Sequence, residues 1–179
     1  MKIIPELFLI LGFLWGSNDA KAYVGQDLLS GREIQFPGTK SKATVVVFLS
    51  AKCPCSASHE KILKALYETY SKEGFQFVGV HSNQDEPEVM GLAHFRESNL
   101  PFPVLKDPGA KLADEFKALK TPHVFVLKDQ EILFQGGVDD SAEAANAKKN
   151  FLADALLSLK LGKKIETTRA RALGCAIKR

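Results

Sequence analysis

The sequence predicts an α/β domain with a central β-sheet flanked by helices. Two continuous apolar runs, residues 44–49 and 75–80, have the composition of strands that are buried on both faces. Between them, residues 58–70 carry apolar side chains at helical spacing, and Gly74 follows as a C-terminal helix stop. Strand, helix and strand in this order form a βαβ unit, so we expect the two strands to be parallel.

The remaining elements are predicted from the same kinds of pattern. We expect a short strand pair within 28–35, helices at 87–97, 110–119 and 142–161, and a β-hairpin made by 124–127 and 132–134. Residues 100–105 contain two prolines, which restricts them to a short or edge strand. From Gly162 onward the sequence is basic and has no periodicity, so we expect a solvated, flexible tail there.

The beginning of the sequence has the order of a secretory signal peptide. Lys2 is followed by an unbroken apolar run over residues 7–15 and then by the small-x-small sequence Ala20-Lys21-Ala22. The apolar run is too short to span a bilayer, which takes about 20 residues. We therefore expect a signal peptide at 1–22, one domain at 23–162 and a basic tail at 163–179. The exported chain, periplasmic or secreted, would have no stable membrane insertion.

Composition and missing motifs exclude several classes of function. The 179 residues include 24 basic and 21 acidic ones, for a net charge of +3, which argues against a nucleic-acid-binding protein. The sequence contains no phosphate-binding loop, zinc-finger spacing or serine-hydrolase elbow, and it predicts no cofactor. The acidic residues Asp85, Glu86 and Glu88, and the Asp139-Asp140 pair, are expected on the solvated surface.

Two of the three cysteines stand where a thiol becomes reactive. Cys53 and Cys55 lie between a predicted buried strand and the helix that follows it, and ligands in open α/β sheets gather at the carboxyl ends of strands. The positive end of the following helix favours the thiolate and lowers the thiol pKa. We therefore predict Cys53 as a reactive thiol, with Cys175 as a third cysteine far along the chain.

Four segments carry a resemblance to a known group of proteins. Residues 45–55, Val-Val-Val-Phe-Leu-Ser-Ala-Lys-Cys-Pro-Cys, resemble the active-site strand and turn of the thioredoxin-like superfamily, and residues 121–126 resemble its cis-proline loop. Residues 102–107 are similar to redoxins of the alkyl hydroperoxide reductase/thiol-specific antioxidant type. Residues 171–179 resemble exported bacterial redoxins that finish on a Gly-Cys-x-Ile motif.

The resemblance implies a thioredoxin-like fold with a central mixed β-sheet, and the activity of a thiol–disulfide oxidoreductase. Its nucleophile would be Cys53. Pro122 would be the cis-proline beside that cysteine, leaving the backbone at Thr121 free to bind a substrate. The partners would be protein thiols and disulfides or a small thiol reductant. Four residues near the cysteines are expected to support the site: Ser50, Pro54, Ser56 and His59.

The sequence leaves two candidates for the resolving thiol, the cysteine that attacks the mixed disulfide formed at Cys53. Thioredoxin-type enzymes have their second cysteine three residues after the first, where this chain has Ser56, so the candidates are Cys55 and Cys175. A disulfide between residues two apart at a helix start forms only with strain.

A peroxide reductase is a second interpretation of the sequence. Ser50 fits the peroxiredoxin pattern, but Val46 stands where those enzymes carry a proline, which disfavours it.

Copper binding is a third interpretation of the same residues. Exported thioredoxin-fold proteins of the synthesis-of-cytochrome-oxidase type bind copper with two cysteines and one histidine, and thiolates favour Cu(I). Here Cys53, Cys55 and either His59 or His123 are the candidate ligands, although the cysteine spacing is a poor match. His59 is otherwise expected to be a solvated helix residue, and His123 either lies near the site or alternates out of its strand.

Overall fold

The computed structural model describes residues 22–179. The nine strands of this part are β1 Tyr23–Gln26, β2 Glu33–Phe36, β3 Ala43–Leu49, β4 Phe75–His81, β5 Val104–Lys106, β6 Lys120–Thr121, β7 His123–Lys128, β8 Glu131–Gly136 and β9 Cys175–Ala176. Its four α-helices are α1 Pro54–Tyr70, α2 Glu88–Ser98, α3 Lys111–Phe116 and α4 Phe151–Lys160. Short 3-10 turns, among them Ser71–Glu73, connect several of these elements.

A five-stranded mixed sheet forms the centre of the fold, in the order β5-β4-β3-β7-β8. Strand β3 pairs in parallel with β4 and antiparallel with β7. The parallel pair confirms the predicted βαβ unit, and β7 with β8 confirms the predicted hairpin. Strand β5 is short and lies at the sheet edge, as the prolines around it require.

Apolar side chains cover both faces of the sheet, which is why β3 is buried along its whole length. On one face, Leu63 of α1 packs with Phe77 of β4 and with Leu156 of α4. On the other, Phe48 and Phe125 pack with α3 and with the β1–β2 hairpin. This double packing fixes the carboxyl ends of β3 and β4, where the cysteine-bearing turn and the following loop begin.

The long helix expected over residues 142–161 is wrong in its first half. The chain forms a 3-10 turn at Ala144–Asn146, and α4 begins only at Phe151. The carboxylate of Asp140 accepts the backbone N–H groups of Lys148 and Lys149 at 2.8 and 3.0 Å, which holds the preceding segment as a loop. Side-chain bonds of this kind compete with helical backbone bonds.

The tail is not the solvated segment that its composition predicts. Its backbone runs beside β8, where Ala170 N–H donates to the carbonyl of Gln135 at 3.0 Å. It then crosses to β6 and pairs with it as β9. Ile165 and Ile177 are buried. Isolated apolar residues in an otherwise polar segment give no periodic pattern, so periodicity did not predict this docking.

The predicted signal peptide lies outside the described residues, apart from Ala22 at its end. Within residues 22–179, no helix combines the length and the apolar character needed to cross a membrane.

Candidate active site

Cys53 occupies the N-cap of α1, directly after β3. Pro54 takes the first helical position, where its missing N–H is no loss. The Cys53 backbone N–H donates to Ser50 Oγ at 3.1 Å, and the Ser50 N–H donates to Ser56 Oγ at 3.2 Å. Ser50, Pro54 and Ser56 therefore shape the turn, and the Cys53 side chain is only 2% exposed.

The cis-proline loop closes over this cysteine. The Thr121–Pro122 peptide bond is cis, as the resemblance implied. The Cys53 thiol donates to the carbonyl oxygen of Thr121 at 3.0 Å. The nucleophile candidate and the proline loop, 68 residues apart in sequence, are thus in direct contact.

The backbone edge at Thr121 is not free, because the tail occupies it. Strands β6 and β9 pair antiparallel, with Cys175 opposite Thr121 and Ala176 opposite Lys120. Gly174 makes the approach possible, since an added Cβ would lie 2.1 Å from the Thr121 carbonyl oxygen. In this structure a cysteine of the chain itself lies along the edge that the resemblance implied for a substrate.

The three cysteine sulfurs form one cluster, with all Sγ atoms within 4.8 Å of one another. Burial opposes ionisation of Cys53, but hydrogen bonds, first from the Cys175 thiol, outweigh it and lower the pKa of Cys53 to about 7. Burial, followed by the hydrogen bond to Cys53, raises the pKa of Cys175 to about 12. Burial and the neighbouring Cys53 charge also raise the pKa of Cys55. The cluster thus concentrates thiolate character on Cys53.

We expect one thiol of the reduced protein to titrate near pH 7. The thiolate fraction of Cys53 should rise with pH and reach one half at about pH 7. Thiolate absorbance near 240 nm measures this, as the difference between wild type and Cys53→Ser. In the double variant Cys175→Ala/Cys55→Ala the midpoint should move upward, because no side-chain donor at residue 175 remains to stabilise the Cys53 thiolate. A wild-type midpoint close to 9 would contradict the proposed role of that hydrogen bond.

A buried carboxylate beneath the cysteine turn was missed by the sequence analysis. Glu86, expected on the surface, is 7% exposed and accepts bonds from the Ser50 hydroxyl and, at 2.7 Å, from the Ala51 backbone N–H. Burial alone would raise its pKa, but the bond to His81 and those from the turn lower the pKa of Glu86 to about 2. The charged carboxylate therefore fixes the backbone that leads into Cys53.

The same network holds the tail. Asn83 donates to Glu86 at 2.8 Å and accepts the backbone N–H of Lys178 at 2.8 Å. Gln84 N–H donates to the Lys178 carbonyl at 2.9 Å. The loop after β4 consequently connects the start of the cysteine turn to the strand that carries Cys175. A cavity of about 100 Å³ opens between them, lined by Ser50, Lys52, Cys53, Asn83, Asp85, Glu86, Cys175, Ala176 and Lys178.

Neither candidate histidine joins the sulfur cluster. His59 is 1% exposed, so the expectation of a solvated residue is wrong. Its Nδ1 lies 2.6 Å from the Cys55 carbonyl oxygen, and its Nε2 lies 3.1 Å from Asp139 Oδ2. It supports the site through the backbone of Cys55. Asp139, likewise expected in solvent, is buried.

His123 has a backbone partner outside the cluster. Its Nδ1 accepts the Leu119 backbone N–H at 3.2 Å, and burial lowers the pKa of His123 to about 4, which keeps the ring neutral near pH 7. Within the described residues, the cluster that could hold a metal ion contains the three cysteines without a histidine. The expected set of two cysteines and one histidine is therefore not formed.

A buried cysteine at a helix N-terminus, facing a cis-proline loop on a mixed sheet, defines a thioredoxin-fold thiol–disulfide oxidoreductase. Residues 21–152 match the Redoxin family, and the chain belongs to that family.

Two relatives by sequence and one solved structure are similar to this chain. The thiol-disulfide oxidoreductase ResA of Halalkalibacterium halodurans is 22% identical over 141 residues, covering 72% of this chain and 78% of that protein. From the same organism, a glutathione peroxidase homolog, BsaA, is 32% identical over 85 residues, covering 44% of this chain and 54% of its own length. An uncharacterized conserved protein from Geobacillus kaustophilus superposes with a TM-score of 0.80 at 25% identity, covering 89% of each chain.

Proposed function

We propose that this oxidoreductase exchanges disulfides with protein substrates, using Cys53 as the attacking thiol and Cys175 as the resolving thiol. The observation that carries the proposal is the pairing of β9 with β6, which sets Cys175 opposite Thr121 while the Thr121 carbonyl contacts the Cys53 sulfur. A residue from the far end of the chain is thereby held within 4.8 Å of the nucleophile.

The chemistry runs in two thiol–disulfide exchanges. The Cys53 thiolate attacks one sulfur of a substrate disulfide, a mixed disulfide forms, and the other substrate sulfur leaves as a thiolate. The Cys175 thiolate then attacks the Cys53 sulfur, a Cys53–Cys175 disulfide forms, and the second substrate sulfur leaves. Two electrons pass from the cysteine pair to the substrate, and a small thiol or a reduced partner protein returns them. Run backward, the same steps oxidise a dithiol.

The charge on Cys53 controls when Cys175 can ionise, and therefore when the second exchange can begin. Cys175 is held protonated while Cys53 is a thiolate, because burial, the hydrogen bond to Cys53 and the Cys53 charge all raise its pKa. Once Cys53 carries a mixed disulfide, that charge and that acceptor are gone. The pKa of Cys175 then falls toward its ordinary value, and the resolving thiol becomes a nucleophile only when it is needed.

The kind of substrate is indicated by what β6 already binds. An extended backbone segment with a cysteine opposite Thr121 lies along this edge, which is the arrangement of a peptide added to a sheet. Such a substrate segment and the tail compete for one edge. We propose that the substrate displaces β9 and that the returning tail expels the product as it brings Cys175 back.

We also propose that the protein is exported from the cytoplasm. The charged start, the apolar run at 7–15 and the small-x-small site at 20–22 support cleavage and transport out of the cytoplasm. In an oxidising compartment a Cys53–Cys175 disulfide would persist until a reductant reached it.

Trapping the mixed disulfide tests the assignment of the two cysteines. Reduced wild type, Cys55→Ser and Cys175→Ser are each mixed with a cysteine-containing peptide disulfide, quenched with an alkylating agent and digested with trypsin. Cleavage after Lys52 and Lys61 leaves Cys53 and Cys55 on one peptide and Cys175 on another. We expect wild type and Cys55→Ser to link the two tryptic peptides, and Cys175→Ser to retain the substrate peptide on Cys53.

The opposite pattern would identify Cys55 as the resolving thiol. In that pattern, wild type forms a disulfide between Cys53 and Cys55 within one tryptic peptide, and only Cys55→Ser retains the substrate peptide on Cys53. If wild type forms neither a mixed nor an internal disulfide, disulfide exchange is not its chemistry.

A further inference from the structure

Three sulfurs that converge on one point can do more than exchange disulfides. Cys53 and Cys55 come from the start of α1 and Cys175 comes from β9, so the cluster exists only because the tail is docked. The three Sγ atoms lie within 4.8 Å of one another. A metal ion about 2.3 Å from each of three sulfurs in a plane needs them about 4 Å apart. The reduced cluster is therefore within a small side-chain adjustment of a three-sulfur metal site.

We propose that the reduced protein binds one Cu(I) ion through Cys53, Cys55 and Cys175. Thiolates are soft ligands that select Cu(I), and a monovalent ion with a filled d shell accepts three of them in a plane. Structural Zn²⁺ sites instead take four protein ligands in a tetrahedron. Among the described residues, no histidine or carboxylate completes the group as a fourth ligand.

The surroundings favour an anionic thiolate complex. Three thiolates around Cu(I) carry a net charge of two minus. Cys53 is the N-cap of α1, and the positive N-terminal end of a helix favours negative charge at this position. Lys52 and Lys178 line the adjoining cavity together with Asp85, whose carboxylate lies 3.9 Å from the Lys52 ammonium. Glu86 lines it too, but its oxygens are engaged by Ser50, Ala51, His81 and Asn83.

The site is shielded from solvent and still reachable. Cys53 is buried and Cys55 and Cys175 are half-buried, and Cys53 and Cys175 line the cavity of about 100 Å³. Binding changes no oxidation state: the thiols release their protons and the copper stays monovalent. The cysteines must be reduced for it to happen, so copper binding and the Cys53–Cys175 disulfide exclude each other. The inference uses the thiols of the proposed function but does not depend on their catalytic roles.

Anaerobic competition for Cu(I) against bicinchoninate tests the site. Reduced wild type should take up one Cu(I) per chain and show three sulfur neighbours by X-ray absorption. Cys175→Ser should lower the affinity at least about 100-fold, since loss of even an outer-shell partner costs 10- to 100-fold. Ala145→Ser, at an exposed position in the 3-10 turn Ala144–Asn146, is the control and should bind like wild type. Circular dichroism verifies that both variants are folded.

Three results would overturn the proposal. These are equal affinity in wild type and Cys175→Ser, two sulfur neighbours instead of three, and tighter retention of Zn²⁺ than of Cu(I) in parallel titrations. Disulfide exchange is measured separately on metal-free protein. If the protein binds Cu(I) but does not exchange disulfides, the proposed function is wrong and the copper site stands. If it exchanges disulfides but does not bind Cu(I), the copper site is wrong and the proposed function stands.

Discussion

Cys53→Ser is expected to abolish disulfide reduction, lowering the rate by at least about 1,000-fold, as removal of a nucleophile does in other enzymes. Cys53 is the thiol with the lowered pKa, and its sulfur contacts the cis-proline loop. The serine hydroxyl can still donate to the Thr121 carbonyl, so the fold should survive. Reduction of a fluorogenic peptide disulfide, with a dithiol as the final reductant, measures the rate.

The matched control for this result is Cys55→Ser, which removes a thiol from the same turn. It should retain activity within about tenfold of wild type, because thiolate formation at Cys53 does not depend on it. Residual activity of Cys53→Ser above one tenth of wild type would mean that another thiol attacks the substrate.

Gly174→Ala is expected to detach β9 from β6 and to slow formation of the Cys53–Cys175 disulfide by about 100-fold, the scale of a misplacement of about 1 Å. An alanine Cβ would lie 2.1 Å from the Thr121 carbonyl oxygen, which belongs to the backbone and has nowhere to move. The φ angle of +153° adds a second penalty for any side chain. The rate of oxidation is followed by the appearance of the linked tryptic peptides after addition of an oxidised dithiol.

Gly162→Ala supplies the control, because Gly162 also has a positive φ, +67°, and a Cβ there meets nothing within 4 Å. It should cost about 1 kcal/mol of stability and leave the oxidation rate unchanged. If Gly174→Ala oxidises as fast as Gly162→Ala, the close approach at Thr121 does not position Cys175.

The central sheet could be predicted because its signals are local. The runs at 44–49 and 75–80 are apolar throughout, as strands buried on both faces must be, and they formed β3 and β4 with few changes at the ends. The helix expected at 142–161 failed because a carboxylate at Asp140 captured two backbone N–H groups, an interaction that periodicity does not encode.

The candidate site was predictable in part. Cys53 and Thr121-Pro122 came from recognisable patterns, and the structure places them in contact. Glu86 was missed because one acidic residue in an acidic loop has the composition of a surface. Its position just beyond the carboxyl end of β4, beside β3, was an available signal, since ligand-binding residues collect at that sheet edge. The Gly-Cys-x-Ile motif made Cys175 a candidate, but the docking of the tail depends on backbone pairing with β6, which that motif does not encode.

The long sequence separation between Cys53 and Cys175 would give the proposed disulfide between them a thermodynamic consequence for the whole domain. Closing a loop of about 120 residues removes chain entropy from the unfolded state worth about 5 kcal/mol. The oxidised protein should therefore melt well above the reduced one. By the same cycle, folding makes this disulfide harder to reduce than it is in the unfolded chain. Each electron pair delivered to a substrate is thus accompanied by a gain in global stability, and each reduction of the enzyme loosens the fold that holds its tail in place.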